Sequence, residues 1–157
     1  MQGGASTATR LRAVHIEELT AADRAAAVDL WVAAGLTRPW NDASDDFDRA
    51  LASPRAAVLG AFDGDGLTGT VMVGDDGHRG WVYYLAVRGS DRGRGAGRTL
   101  MAAAERWLAA HGVVKVNLMV RGSNAAALGF YERLGYRTDD VAVLSRWLSD
   151  PTTPPRS

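Results

Sequence analysis

Glycine and arginine alternate in one short segment of the chain, residues 92–98, and this composition suits the binding of a pyrophosphate. Glycines let backbone N–H groups approach a ligand closely, and arginines supply charge and forked donors. The segment lies between a predicted strand and a predicted helix, whose first turn adds free N–H groups and a positive dipole end. The spacing therefore predicts a pyrophosphate site, with a flexible basic turn as the alternative interpretation.

Two common nucleotide-binding motifs do not match this segment. A P-loop continues from its last glycine into Lys and then Ser or Thr, but here Gly97 is followed by Arg98. A Rossmann fingerprint usually follows the first strand of the fold. If it began at Gly93, its third glycine would be expected at the position of Arg98, one residue after Gly97. A nucleotide-binding regulatory domain is therefore disfavoured.

A second pair of polar residues lies further along the chain, on a predicted helix. Asn124 is predicted to cap the helix, and Tyr131 follows close to two turns later, which is ~10 Å along one face. Both side chains can therefore serve one groove. A neutral phenol, with an ordinary pKa near ~10 against ~8.5 for a thiol, can donate its proton to a departing thiolate. A core aromatic at helical spacing is the alternative interpretation of Tyr131.

These two segments together resemble the two main motifs of the GNAT acetyltransferase superfamily. A motif Arg-x-x-Gly-x-Gly begins at Arg92, after a strand that ends at residues 85–87, and it looks like the pyrophosphate motif of that superfamily. The run at residues 124–136 resembles the second motif, at the expected distance. The superfamily often has a proline two residues after the strand, and this chain has Gly89 there.

The resemblance implies an α/β fold, with a mixed central sheet, helices on both faces and two parallel strands that splay apart. These strands are predicted at residues 81–87 and 114–120, and acetyl-CoA would lie in the gap between them. Tyr131 would protonate the leaving thiolate. The residues that would contact acetyl-CoA are Leu85, Ala86, Val87, Arg92, Gly93, Arg94, Gly95, Ala96, Gly97, Arg98 and Asn124.

The implied activity is N-acetyl transfer from acetyl-CoA to a primary amine, of a small molecule or of a protein, by direct attack in a ternary complex. The alternative is a module that binds acyl-CoA without catalysis, as a sensor or scaffold. Met119 stands where some relatives that acetylate ribosomal proteins have Glu. Asp42, Asp76 and His78 remain as candidate bases, with ordinary turn chemistry as the alternative for each.

Residues 38–48 and 75–81 both combine acidic residues with tryptophan, and parts of them resemble a small bacterial GNAT subfamily with no firmly assigned substrate. Their carboxylates would attract a cationic amine, to which a tryptophan could offer an aromatic face. The helix aspartates Asp45, Asp46 and Asp48 are expected to face solvent instead. The predicted acceptor site consists of Trp40, Asn41, Asp42, Asp76 and His78.

The composition of the 157 residues excludes several other classes of protein. There is no cysteine, and the three histidines are scattered, so no metal site is expected. The formal net charge is zero, which argues against nucleic-acid or membrane partners. The sequence contains no apolar run long enough for a membrane span or a signal peptide, so a cytoplasmic protein is expected. We expect it to be a monomer or a homodimer. We expect one domain at residues 10–149 between flexible tails at 1–9 and 150–157.

Periodicity and turn residues predict the elements that position these side chains. A first helix is expected at residues 21–34, with Thr20 as its N-cap and Asp23 completing a capping box, and a second from its cap Ser44 to Leu51. A third helix is expected to follow the glycine–arginine turn and to end at His111-Gly112, and a fourth to run from Asn124 to Leu134. Strands are expected at residues 11–16, 56–62, 67–73, 81–87 and 114–120, with one or two closing strands in residues 137–148.

Overall fold

The computed structural model describes residues 14–152, which form a five-stranded sheet with helices on both faces. The strands follow chain order, and each of the first four is antiparallel to its neighbour, whereas the last pair is parallel. This arrangement confirms the predicted mixed α/β fold. The strands are β1 (His15–Glu18), β2 (Ala56–Asp63), β3 (Gly66–Asp75), β4 (Gly80–Val87) and β5 (Val116–Asn117).

Four α-helices cover the sheet, and two apolar clusters fix them there. The first cluster contains the fully buried Trp31 and Phe47, and the second contains Leu100, Met101 and Leu108. In residues 14–152, no helix has both the length and the apolar character that crossing a membrane requires. The helices are α1 (Arg24–Ala33), α2 (Ala43–Ala52), α3 (Ala96–Ala110) and α4 (Ala125–Arg133), and a single 3-10 turn (Ala21–Asp23) precedes α1.

Local capping signals place the starts of the first two helices. The predicted capping box is present at the start of the 3-10 turn that leads into α1, since the Thr20 N–H donates to the Asp23 carboxylate at 2.9 Å. The start of α2 differs from the prediction, because Asp42 rather than Ser44 is the N-cap. The Asp42 carboxylate accepts the N–H groups of Ser44 and Asp45 at 2.8 and 3.1 Å, and Ser44 already lies inside the helix.

A kink in β4 at Tyr84 separates the two parallel strands. Tyr84 has φ +51°, and the register between β3 and β4 shifts opposite it. A buried chain of hydrogen bonds holds the kink: Trp31 Nε1 donates to Thr70 Oγ1 at 2.8 Å, and this hydroxyl donates to the Tyr84 carbonyl at 3.0 Å. As a result β4 pairs with β5 only through Gly80 and Trp81. The predicted splay is confirmed, and β5 is shorter than predicted because its partner turns away.

The prediction of closing strands in residues 137–148 is wrong. This segment is irregular, and Val141, Leu144 and Leu148 are 76%, 92% and 97% exposed. Its apolar alternation is typical of a strand, but β5 ends after two residues and offers no long edge to pair with. At the other end, β1 begins at His15, later than predicted. Residues 1–13 and 153–157 lie outside the described part, so the predicted tails and domain bounds stay predictions.

Candidate functional site

A cavity of about 920 Å³ opens where β4 and β5 splay apart. It extends from the loop between α1 and α2, past the kinked part of β4, to α4, so it connects the layers of helices on the two faces of the sheet. Four of the residues singled out from the sequence line it together, namely Asn41, Leu85, Asn124 and Tyr131. Among residues 14–152, no strand pairs with the edge of β4 that faces β5 beyond Trp81, so this edge can accept an added strand.

The glycine–arginine turn leads from β4 into the N-terminus of α3. Gly95 is the N-cap of α3 with φ +85°, a conformation that favours glycine, and open space surrounds the position a Cβ would take. The first backbone N–H to bond back into the helix is that of Thr99, which reaches the Gly95 carbonyl at 3.0 Å. The N–H groups of Ala96, Gly97 and Arg98 therefore have no partner in the described part of the chain, and they can bind an anion.

The arginines in this turn, and Arg88 just before it, differ in their pairing. Arg88 is bound to Asp91, so its charge is neutralised within the protein. Arg94 and Arg98 are exposed and make no ion pair with any residue between 14 and 152, and Arg92 has only a long hydrogen bond, 3.4 Å, from Nε to the Val87 carbonyl. Free amides and unpaired guanidinium groups together fit a pyrophosphate.

Helix α4 packs close to this turn and carries two of the candidate residues. A Cβ at Gly97 would lie only 3.1 Å from Cζ of Phe130, so α3 and α4 are in close contact there and a larger residue would require the Phe130 ring to shift. Asn124 is the N-cap of α4, as predicted, because its Oδ1 accepts the Ala127 N–H at 3.1 Å. Asn124 lines the cavity, and its side-chain NH₂ has no hydrogen-bond partner among residues 14–152.

The Tyr131 hydroxyl has no hydrogen-bond partner among residues 14–152, although its ring is firmly held. The ring lies edge-on to Phe130 and Tyr136, with centroids 5.1 and 5.7 Å away, and Tyr136 is anchored by its own bond to Glu105 at 2.8 Å. Burial raises the pKa of the Tyr131 phenol above its ordinary value, so the group keeps its proton. The geometry therefore presents a neutral proton donor to the cavity.

The loop carboxylates predicted for the acceptor site are engaged in local structure. The Asp76 carboxylate accepts N–H groups from His78, Arg79 and Trp81 at 2.7–2.9 Å. The two backbone donors and the Trp81 indole lower the pKa of Asp76 to about 2. The Asp42 carboxylate is occupied by the N–H groups of Ser44 and Asp45 at the start of α2.

None of Trp40, Asp42, Asp76 and His78 lines the cavity. Trp40 instead contacts Trp147, with ring centroids 5.8 Å apart, and the His78 side chain is exposed. Their acceptor role stays a prediction.

Asp46 and Tyr84, which were not predicted as site residues from the sequence, line the cavity. The expectation that the Asp46 side chain faces solvent is therefore wrong. The Tyr84 hydroxyl donates to Asp46 Oδ2 at 2.6 Å, and burial together with this bond raises the pKa of the phenol. Asp45 and Asp48 are exposed as expected, but Asp46 faces the cavity. Helical spacing could have revealed this, since Asp46 lies three residues after Ala43 and four before Ala50, both buried.

Comparison with known proteins agrees with this arrangement. The family model described as the acetyltransferase (GNAT) family matches residues 15–136. An acetyltransferase of Yersinia enterocolitica is 43% identical over 119 residues, which cover 76% of this chain and 84% of the relative. An acetyltransferase of Pectobacterium atrosepticum is 42% identical over 127 residues, or 80% of this chain and 89% of the relative.

Solved structures agree on the fold. An aminoglycoside N-acetyltransferase in complex with CoA superposes with a TM-score of 0.73 at 17% identity, over 90% of this chain and 99% of the other. A ribosomal-protein-alanine N-acetyltransferase from Brucella melitensis gives a TM-score of 0.70 at 22% identity, over 86% of this chain and 99% of the other.

Proposed function

The chain belongs to the GNAT acetyltransferase family and is an acyltransferase, and we propose that it moves an acetyl group from acetyl-CoA to a primary amine in a ternary complex. The observation that carries this proposal is the cavity, in which the unbonded Tyr131 hydroxyl and the unpaired edge of β4 at Leu85 meet. The CoA complex of one structural neighbour, and the names of the aminoglycoside and ribosomal-protein acetyltransferases, support a CoA donor and an amine acceptor.

The backbone of Leu85, Ala86 and Val87 would bind the pantetheine arm as an added strand, because this edge of β4 has no partner from β5. The side-chain NH₂ of Asn124 would bind the same arm from the other side of the gap. The pyrophosphate would lie on the free N–H groups at the start of α3, where the helix dipole and the unpaired arginines add positive charge. The residues that would bind the pyrophosphate are Arg92, Gly93, Arg94, Gly95, Ala96, Gly97 and Arg98.

The thioester of acetyl-CoA supplies the electrophilic carbonyl group. A backbone N–H of the kinked β4 would polarise that carbonyl, and Tyr131 would give its proton to the sulfur as the bond between carbon and sulfur breaks. The raised pKa of Tyr131 supports this role, because the phenol is protonated when the thiolate forms. The amine must reach the carbonyl uncharged, so its proton would leave through a water relay. The bases predicted from the sequence, Asp42, Asp76 and His78, do not line the cavity and would act only through such a relay.

The bacterial origin of the named relatives and the supply of acetyl-CoA in the cytoplasm lead us to place the protein in the bacterial cytoplasm. The activity is tested by following release of free CoA from acetyl-CoA over a library of amines, with calorimetry of acetyl-CoA binding alongside. We expect binding and at least one productive amine. Tight binding with no release for any amine would favour the alternative of a non-catalytic acyl-CoA sensor, and absence of binding would refute both.

A further inference from the structure

Four charged side chains line the cavity, and their balance is positive. Three belong to Arg38, Arg49 and Arg121, and one belongs to Asp46. Arg38 is held in place, because its Nη1 donates to the carbonyls of Gly35 and Thr37 at 2.9 and 2.8 Å. The free amides and arginines that fit a pyrophosphate lie elsewhere, in the turn at residues 92–98. The cavity thus offers positive charge beyond what that turn supplies, together with a single carboxylate.

Asp46 and Arg49 lie on one face of α2, yet they do not pair with each other. Side chains three residues apart on a helix are neighbours, and opposite charges at this spacing attract. Asp46 is instead turned toward Tyr84, whose ring stacks on Trp31 with centroids 4.0 Å apart. Arg49 has no ion pair or hydrogen bond within residues 14–152. One carboxylate oxygen of Asp46 and the whole Arg49 guanidinium are therefore free for a ligand.

We infer that the acetyl acceptor is an amine that also carries an anionic group close by, of which an α-amino acid is the simplest example. Asp46 binds the ammonium group and Arg49 binds the carboxylate, so α2 recognises both charges of a zwitterion. Tyr84 acts as a positioning residue, because its hydroxyl fixes the Asp46 carboxylate beside the kink of β4. This inference rests on the proposed function, whose acceptor it specifies.

The charge balance separates this acceptor from a polycationic one. A polyamine or aminoglycoside would bring several ammonium groups to a cavity whose lining contains three arginines and one aspartate. Like charges repel, and a ligand whose anionic group meets Arg49 avoids that repulsion. The arrangement therefore favours a zwitterion over a polycation.

The experiment measures initial rates of CoA release with α-amino acids, each paired with its own carboxamide, and with spermidine and kanamycin as polycations. The wild-type protein is compared with Asp46→Asn and Arg49→Gln. Asp45→Asn is the matched control for the first variant, because Asp45 is the exposed neighbour in the same turn of α2. Arg106→Gln, on the exposed face of α3, is the control for the second.

We expect the wild-type protein to prefer amino acids over their amides by at least tenfold in kcat/KM, which is ~1.4 kcal/mol. Arg49→Gln should abolish this preference, Asp46→Asn should raise KM for both members of each pair at least tenfold, and both controls should behave as wild type. Preference for amides or polycations, or an unchanged KM in both variants, would overturn the inference while leaving the acetyltransferase proposal intact. If no amine at all releases CoA, both statements fall together.

Discussion

The glycine–arginine turn at residues 92–98 and the pair of Asp46 and Tyr84 contribute to one candidate site in opposite ways. The turn is a contiguous stretch whose free backbone amides and unpaired arginines are the groups that we propose bind the pyrophosphate. The pair joins side chains that lie 38 residues apart, on a helix and on a kinked strand. A contiguous site can be recognised from spacing alone, whereas a site assembled across layers depends on how the sheet and helices pack.

The difference also extends to tolerance of substitution. Binding through backbone amides depends on the path of the chain, so it is sensitive to any side chain that alters the turn. Binding through Asp46 depends on one carboxylate and on the partner that orients it. Substitutions at Tyr131, in the glycine–arginine turn and in the predicted acceptor loops test this contrast.

Replacing Tyr131 by phenylalanine should give the largest effect, because it removes the proton donor and keeps the ring between its aromatic neighbours. We expect turnover to fall ~10²-fold with acetyl-CoA affinity nearly unchanged, measured by steady-state kinetics and calorimetry. In the wild-type protein, activity that depends on the neutral phenol should be lost only at pH above 10.0, its ordinary pKa, because burial raises it further. Normal turnover in the variant, with chemistry rate-limiting, would make Tyr131 a packing residue.

Replacing Gly95 by valine tests whether the turn binds through its backbone. A Cβ at this position would have no protein atom within 4 Å, and the valine side chain would occupy the space where a pyrophosphate would approach. We expect acetyl-CoA affinity to fall at least tenfold, or ~1.4 kcal/mol, by calorimetry.

Gly112→Val is the matched control for that substitution. Gly112 lies beyond the other end of α3, also has positive φ, and has equally open surroundings. Both variants therefore carry a similar backbone strain, and only the Gly95 variant should lose affinity. Equal losses would show that strain in α3, rather than a blocked ligand site, is the cause.

The smallest effects are expected for Asp42→Asn and Asp76→Asn. The sequence predicts that these residues bind the acceptor, whereas in the structure their carboxylates bind backbone N–H groups of their own loops. If these residues bind the acceptor, removing their charge should raise the acceptor KM. The structure engages both carboxylates with backbone N–H groups, and asparagine keeps an oxygen that can accept them. We therefore expect KM to change less than about twofold. An acceptor KM raised tenfold or more in either variant would support the predicted role of that loop in acceptor binding.

Much of the fold was predictable because its signals are local. The capping box at Thr20 and Asp23 and the turn that ends α3 at Gly112 were read from residues close in sequence. The apolar run of β4 and the glycine–arginine turn after it were also visible directly. Residues 137–148 show the limit of such signals, because their alternation is typical of a strand while strand formation depends on a partner edge.

The sequence by itself determined the family, the position of the turn that suits a pyrophosphate, and the residues Asn124 and Tyr131 on one helix face. These features depend on spacing within a few turns of chain, which the order of residues states directly. The spacing of Asp46 between the buried Ala43 and Ala50 indicates which face of α2 it lies on, but only the tertiary structure decided that this face meets the cavity and Tyr84. That outcome depends on the kink at Tyr84 and the buried bonds from Trp31 and Thr70 that hold it. Contacts between residues so far apart arise when the layers pack, and one strand or helix read alone contains no trace of them.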